Sequence, residues 1–219
     1  MFIGHFGVGM AAKKFAPQTS LGTLFVAASF LDLLWPLFLL MGWEEVRILP
    51  DGPPFGPLEF TSYPYSHSLL MALLWSLLAG LAYFLWKRYL AGAITVGALV
   101  VSHWFLDLFV HQPDLPLWPG SAKYGFALWN SVIGTICVEG IIFVCGVALY
   151  LAATRGQGKT GRILFWILVG VLVVLYLAAT FGPPPPSVVA LAWADLGSLL
   201  LVALAWFADR RRVSPAAVI

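Results

Sequence analysis

The chain has 219 residues, 61% of them hydrophobic and only 10% charged, with a net charge of +2 and a mean hydropathy of +0.91. Soluble domains carry about 25% charged residues, so this composition describes an integral membrane protein. The small net charge, with no basic patch interleaved with aromatics, excludes a nucleic-acid partner.

Residues 1–16 are apolar, with His5 in their middle and Lys13-Lys14 near their end. The stretch is too short to cross a bilayer, which takes about 20 residues. It also lacks the charge-before-apolar order of a secretory signal. Read as a half-helix dipping into the bilayer from Lys13, it must be packed against protein. Pro17-Gln18-Thr19-Ser20 then breaks the chain, and Ser20 is a candidate cap for the first span, 21–41. That span carries Asp32 and is expected to kink at Pro36.

Residues 42–66 form a long loop holding Glu44, Glu45, Asp51 and Glu59 against the single Arg47. Loops of this length are mostly functional or disordered. The second span, 68–86, opens beside His67, and Lys87-Arg88 turn the chain into the third, 91–110. A Pro-rich loop leads to the fourth span, 124–151, with Asn130 near its start and Glu139 in its middle. The fifth span is 163–181, and Gly182 with four prolines makes a stiff turn into the sixth, 187–207, which contains Asp195. Cys137 and Cys145 sit about 12 Å apart along one helix and cannot pair with each other.

The fold expected is all-α and polytopic: one transmembrane domain over residues 1–219, with six spans and a short re-entrant N-terminal helix. Lys13, Lys14, Lys87, Arg88, Arg155, Lys159, Arg162, Arg210, Arg211 and Arg212 fall at one end, and only Arg47 and Lys123 at the other. The positive-inside rule then places both termini in the cytoplasm of a bacterial inner membrane.

Within the third span, His103, Asp107 and His111 recur at i, i+4 and i+8, within roughly 80° on one helix face. Ionisable groups at membrane depth are costly, so the stripe reads as a functional site. At about 1.5 Å per residue from the basic end, Asp32 lies near ~18 Å, His103 near ~20 Å, Asp107 near ~25 Å, and His67 and His111 near ~30 Å. His5 reaches about 12–14 Å on a re-entrant helix. His5, Asp32 and His103 are thus expected in one layer, and His67, Asp107 and His111 in another nearer the far face.

A set of imidazoles and carboxylates without a thiolate suits a divalent metal, Zn first, with Mn or Fe as alternatives. The candidate ligands are His67, His103, Asp107, Asp32 and His5. His103 and His111 are about 12 Å apart along the helix, which puts His111 at the mouth or implies two ions bridged by Asp107 or Asp32. Glu139 and His111 are the candidates for moving protons.

Four segments follow one another across the first half of the chain: Gly4-His5-Phe6, Ala28-Ser29-Phe30-Leu31-Asp32, Tyr65-Ser66-His67-Ser68, and Ser102-His103-Trp104-Phe105-Leu106-Asp107. In this order they resemble the bacterial inner-membrane metal-dependent hydrolases of the YdjM type. The resemblance implies a multi-span hydrolase with His5, Asp32, His67, His103 and Asp107 as metal ligands or catalytic groups. Two departures stand out. The family's Pro-Asp-x-Asp pattern reads Leu31-Asp32-Leu33-Leu34 here, and the Arg ahead of its Thr-His-Ser step is absent from Tyr63-Pro64-Tyr65-Ser66-His67-Ser68.

The function expected is metal-dependent hydrolysis of a lipid or lipid-linked ester or phosphodiester, with membrane lipids as partners. Two alternatives remain open. Asp32, His103, Glu139 and Asp195 would suit a proton- or cation-coupled transporter. His67 with His111 would suit a haem-binding or anchoring subunit.

Overall fold

The computed structural model describes residues 1–50, 52 and 55–215; Asp51 lies outside them. The protein is a helical bundle with helices long and apolar enough to cross a membrane at Leu69–Lys87 (α5), Leu90–Val110 (α6), Val132–Ala153 (α7) and Gly158–Phe181 (α8). A fifth such segment, Val188–Asp209, comprises Val188–Leu196 (α9) and Ser198–Asp209 (α10) around Gly197. A sixth is a bent pair, Leu21–Ala28 (α2) and Phe30–Leu40 (α3), at 57° to each other. Ile3–Ala11 (α1) precedes them, and Pro64–His67 (α4) is a single turn before α5. Serines start four of the helices: the side chains of Ser20, Ser68, Ser131 and Ser187 accept the amides of Thr23, Met71, Gly134 and Ala190. Each satisfies an amide that the first turn leaves unpaired.

The break in the first span falls at Ser29 and not at Pro36, which α3 accommodates in its interior. The Ser29 hydroxyl donates to the Phe25 carbonyl at 2.8 Å, a back-bond that bends helices. The fourth span also starts later than the sequence suggests. Ala127 takes a left-handed conformation (φ 58°), and a 3-10 turn at Leu128–Asn130 precedes α7.

No residue of α1 is exposed, although the helix is too short to span. It lies against α7 through glycine. A Cβ on Gly146 would stand 2.0 Å from the Gly7 carbonyl oxygen, so the two backbones touch. This close approach, with α2 on the other side, supplies the protein packing that a re-entrant helix needs. Two apolar groups of side chains form the core, and α1 and α2 contribute to both.

The two ends of the bundle differ. At the basic end, Lys13 Nζ lies 2.8 Å from Asp209 Oδ2, and Asp209 also accepts from the Leu21 amide at 3.0 Å and the Tyr150 hydroxyl at 2.7 Å. Arg155–Gly156 (β5) pairs there with Arg212–Val213 (β6). At the opposite end, the long loop contains an antiparallel hairpin, Glu45–Ile48 (β1) with Leu58–Ser62 (β2). Lys123 Nζ ties it down by donating to the Thr61 carbonyl at 2.8 Å. A two-residue ladder, Leu115–Pro116 (β3) with Lys123–Tyr124 (β4), lies in the next loop at this end.

Candidate metal centre

His103 is fixed by the break in the first span. Ala28 ends α2, so its carbonyl is one of those a helix terminus leaves free. His103 Nδ1 lies 2.8 Å from that oxygen. A carbonyl only accepts, so Nδ1 carries a proton, and in the neutral imidazole Nε2 presents its lone pair. Nε2 faces Asp107 Oδ2 at 3.1 Å and Asp32 Oδ1 at 3.4 Å, and has no hydrogen-bond partner.

His67 repeats the pattern through a relay. The Ser66 hydroxyl donates to Glu44 Oε2 at 2.6 Å, so the His67 Nδ1–H at 2.7 Å must donate to Ser66 Oγ. His67 Nε2 then faces Asp32 Oδ1 at 3.5 Å and Asp107 Oδ2 at 3.8 Å. His111 repeats it again, with Nδ1 on Asp114 Oδ1 at 3.0 Å and Nε2 at 3.9 Å from Asp107 Oδ2. Three imidazoles thus aim Nε2 at one carboxylate oxygen. A fourth, His5, places Nε2 3.0 Å from the other oxygen, Asp107 Oδ1, and stacks on His103 with ring centroids 3.7 Å apart. The Met1 ammonium also contacts Oδ1.

The two expected layers are therefore one cluster. Side chains on a helix lean toward its N-terminus, so Asp107 leans toward the basic end and the level of His103. His111 is not a continuation of the stripe. It caps α6 in an extended conformation (φ −64°, ψ 150°), and its ring turns back toward Asp107. Ring reach, not the helical rise, sets its distance from the cluster.

This donor set fits a metal ion. A lone pair on Nε2 facing a carboxylate oxygen is repulsive unless a proton or a metal cation lies between them, and a buried unpaired polar atom costs about 1–3 kcal/mol. His103 Nε2 and His5 Nδ1 are both such atoms. The ligand atoms of His5, His103 and Asp107 lie within 4.8 Å of one another, and so do those of Asp32, His67 and His103. Outer partners fix each Nδ1–H of His67, His103 and His111, the arrangement that orients metal-binding imidazoles.

Glu139, in the middle of α7, is differently engaged. Its Oε2 accepts the Phe2 amide at 2.9 Å and the Gly4 amide at 3.3 Å, so it holds the first turn of α1 beside the cluster. Asp195, on α9, lines the same cavity as Asp32, His67 and His111, and its side chain makes no hydrogen bond or ion pair among the described residues. The residue that sequence reasoning missed is Glu44, read as one acid of a charged loop. It is buried, and the amides of Tyr65 and Ser66 also donate to it, at 2.8 and 2.7 Å. Burial pushes its carboxyl above the ordinary range, and the Ser66 and Tyr65 hydrogen bonds pull against that. Burial lowers His111, and burial with Asp114 nearby raises Tyr63 well above the usual phenol.

A cavity of about 390 Å³ opens beside the cluster. Asp32, His67, His111 and Glu139 lie on its polar side, and the Asp32 side chain is 40% exposed into it. Phe60 of the hairpin and Trp129 roof the cavity, with ring centroids 5.0 and 4.1 Å from His111.

Residues 64–183 match the family model described as YdjM inner membrane protein. The chain belongs to the YdjM inner membrane protein family. The part shared with YdjM proteins includes His67, His103, Asp107, His111 and Glu139, whereas His5, Asp32 and Glu44 precede it. No curated protein and no solved structure matches the chain.

The Glu44 relay makes this YdjM-family site testable. In Glu44→Gln the amide nitrogen would donate to Ser66 Oγ, the serine proton would turn to His67 Nδ1, and the His67 proton would move to Nε2. Nitrogen NMR of labelled histidine should report that tautomer change. Affinity for added Zn²⁺, read by chelator competition, should fall by about 10–100-fold, as for loss of other outer partners. An unchanged tautomer and an unchanged affinity would show that Glu44 does not act through His67.

Proposed function

We propose that this inner-membrane protein is a metal-dependent hydrolase acting on a lipid or lipid-linked ester or phosphodiester. The observation that carries the reading is the convergence of Nε2 of His67, His103 and His111 on Asp107 Oδ2. His67, His103, Asp32 and Asp107 would hold the metal, with His5 on the far oxygen of Asp107. Zn²⁺ suits these ligands best, with Mn²⁺ or Fe²⁺ as alternatives. The bound metal would supply Lewis acidity and lower the pKa of water toward about 7.

The chain's own groups do the rest. Glu139 borders the cavity, and among the described residues its Oε1 accepts no hydrogen bond, so it is placed to take a proton from water. His111, oriented by Asp114 at the cavity roof, is placed to return one to the leaving group. Phe60 and Trp129 restrict bulk water above the site. We assign the basic end to the cytoplasm, which puts the cavity in the outward half of the membrane. The haem alternative is disfavoured, because His67 and His111 both point at a carboxylate and not at each other across a slot.

The test is elemental analysis of protein purified after metal-replete expression, beside His103→Ala. Wild type should carry a transition metal near stoichiometry, and the variant should lose it. Lipid vesicles should then release product with the metal-loaded protein and not after chelation. A wild type free of bound transition metal would sink the reading.

A further inference from the structure

We propose that the cavity takes its occupant sideways from the bilayer: the polar linkage of a membrane lipid sits against the cluster while one hydrocarbon chain leaves between α8 and α9. The chemistry at the linkage rests on the hydrolase reading; the lateral seat for the chain does not.

The opening is set by which helices pack and which do not. α9 packs on α3, and α10 packs on α2 and α8, whereas α8 and α9 scarcely touch. The turn that joins α8 to α9, Gly182 and four prolines, is stiff and holds the two ends apart. Ala179 of α8 and Ala194 of α9 line facing walls of the cavity, and both are exposed, so the cavity reaches the surface between these helices. Both are small. The surface beside them is apolar: Leu175, one turn from Ala179, and Trp193, next to Ala194, are exposed there. In a membrane-spanning helix pair such a surface faces hydrocarbon. The outer end of the cavity is meanwhile roofed by the hairpin and Trp129.

Size and charge identify the class of occupant. About 390 Å³ lies within the range of ordinary small-ligand pockets, roughly 300–1,000 Å³. That accommodates a head-group linkage and the first carbons of a chain, not a whole two-chain lipid, so the rest must extend through the opening. No Lys or Arg is among the described lining residues, and the Met1 ammonium there already contacts Asp107 Oδ1, so the lining offers little to draw in a free, water-borne anion. A soluble substrate would also have to cross hydrocarbon to enter between α8 and α9, whereas a lipid is already there. Asp195 lies on the α9 wall at membrane depth without a protein partner among the described residues, a polar group available to the lipid linkage.

The experiment uses the full chain in vesicles containing a phospholipid with a photoactivatable group in its acyl chain, and maps the label by mass spectrometry. Label should fall on Tyr176, Ala179, Leu191 and Ser198. Ala194→Trp, which fills the opening, should cut that label by roughly tenfold or more while label on the outward Leu177 and Val189 persists. Ala179→Trp on the facing wall should do the same, so a folding defect peculiar to one variant cannot imitate the result. Label confined to outward positions, or interior label indifferent to both tryptophans, would overturn the lateral seat. Elemental analysis keeps the two proposals apart. A metal-free protein with interior label loses the hydrolase reading alone, and a metal-loaded protein without interior label loses the lateral seat alone.

Discussion

Asp107→Asn should lower metal affinity by more than about 100-fold and cost more stability with metal present than without it. Losing an outer partner of a metal ligand costs about 10–100-fold, and Asp107 is at the centre, reached by His67, His103 and His111 on Oδ2 and by His5 on Oδ1. In protein stripped with a chelator, the carboxylate still pairs with the Met1 ammonium on Oδ1, and the imidazoles facing Oδ2 can take up a proton in place of the metal. An asparagine keeps one acceptor and can donate to one Nε2, but it gives up the charge that pairs with the buried Met1 ammonium, so the stripped variant should unfold somewhat below stripped wild type. With Zn²⁺ added, wild type should gain stability by linkage to binding, about 2.7 kcal/mol at 100 times Kd, and the variant should not. Thermal unfolding in detergent, with and without chelator, reads both arms. A variant equally destabilised in both conditions would make Asp107 a structural hydrogen-bond acceptor and remove the metal from the argument.

The parts of the site legible in the sequence are those on one regular helix. His103 and Asp107 are four residues apart on α6, and helical geometry alone puts them together. The spans were legible for the same reason, since length and hydropathy suffice. The rest of the site depends on irregular backbone, which carries no periodicity. The Ser29 break frees the carbonyl that orients His103, whereas the sequence drew attention to Pro36. His111 leaves the helix at its cap, so a distance reckoned along the axis misplaces it. Glu44 lies 23 residues before His67, in a loop whose several acids look alike until folding buries one of them. The α8 side of the cavity was invisible because the fifth span is apolar throughout; on the α9 side only Asp195 gave a signal. No residue type on α8 distinguishes the cavity-facing Ala179 from its lipid-facing neighbours.

The second large effect lies at the other end of α1, where Asp209→Leu should destabilise the protein by about 3–5 kcal/mol. The substitution leaves the buried Lys13 ammonium with only the Thr19 carbonyl, at 2.8 Å, and strips acceptors from Leu21 and Tyr150. Lys13→Met should cost less, because Asp209 would keep two donors. The double variant Lys13→Met/Asp209→Leu should be less destabilised than the sum of the two, since neither charge is left buried alone. Denaturant titration in mixed micelles gives the three values, and strict additivity would show that the two side chains do not act as a pair. The consequence should reach the cluster. Glu139 and Asp107 hold α1 at its deep end, and Lys13 holds it at the basic end. Loosening the basic anchor frees the re-entrant helix to withdraw His5. Added Zn²⁺, by pinning His5, should therefore recover part of the stability lost in Asp209→Leu, and His5→Ala should abolish that recovery.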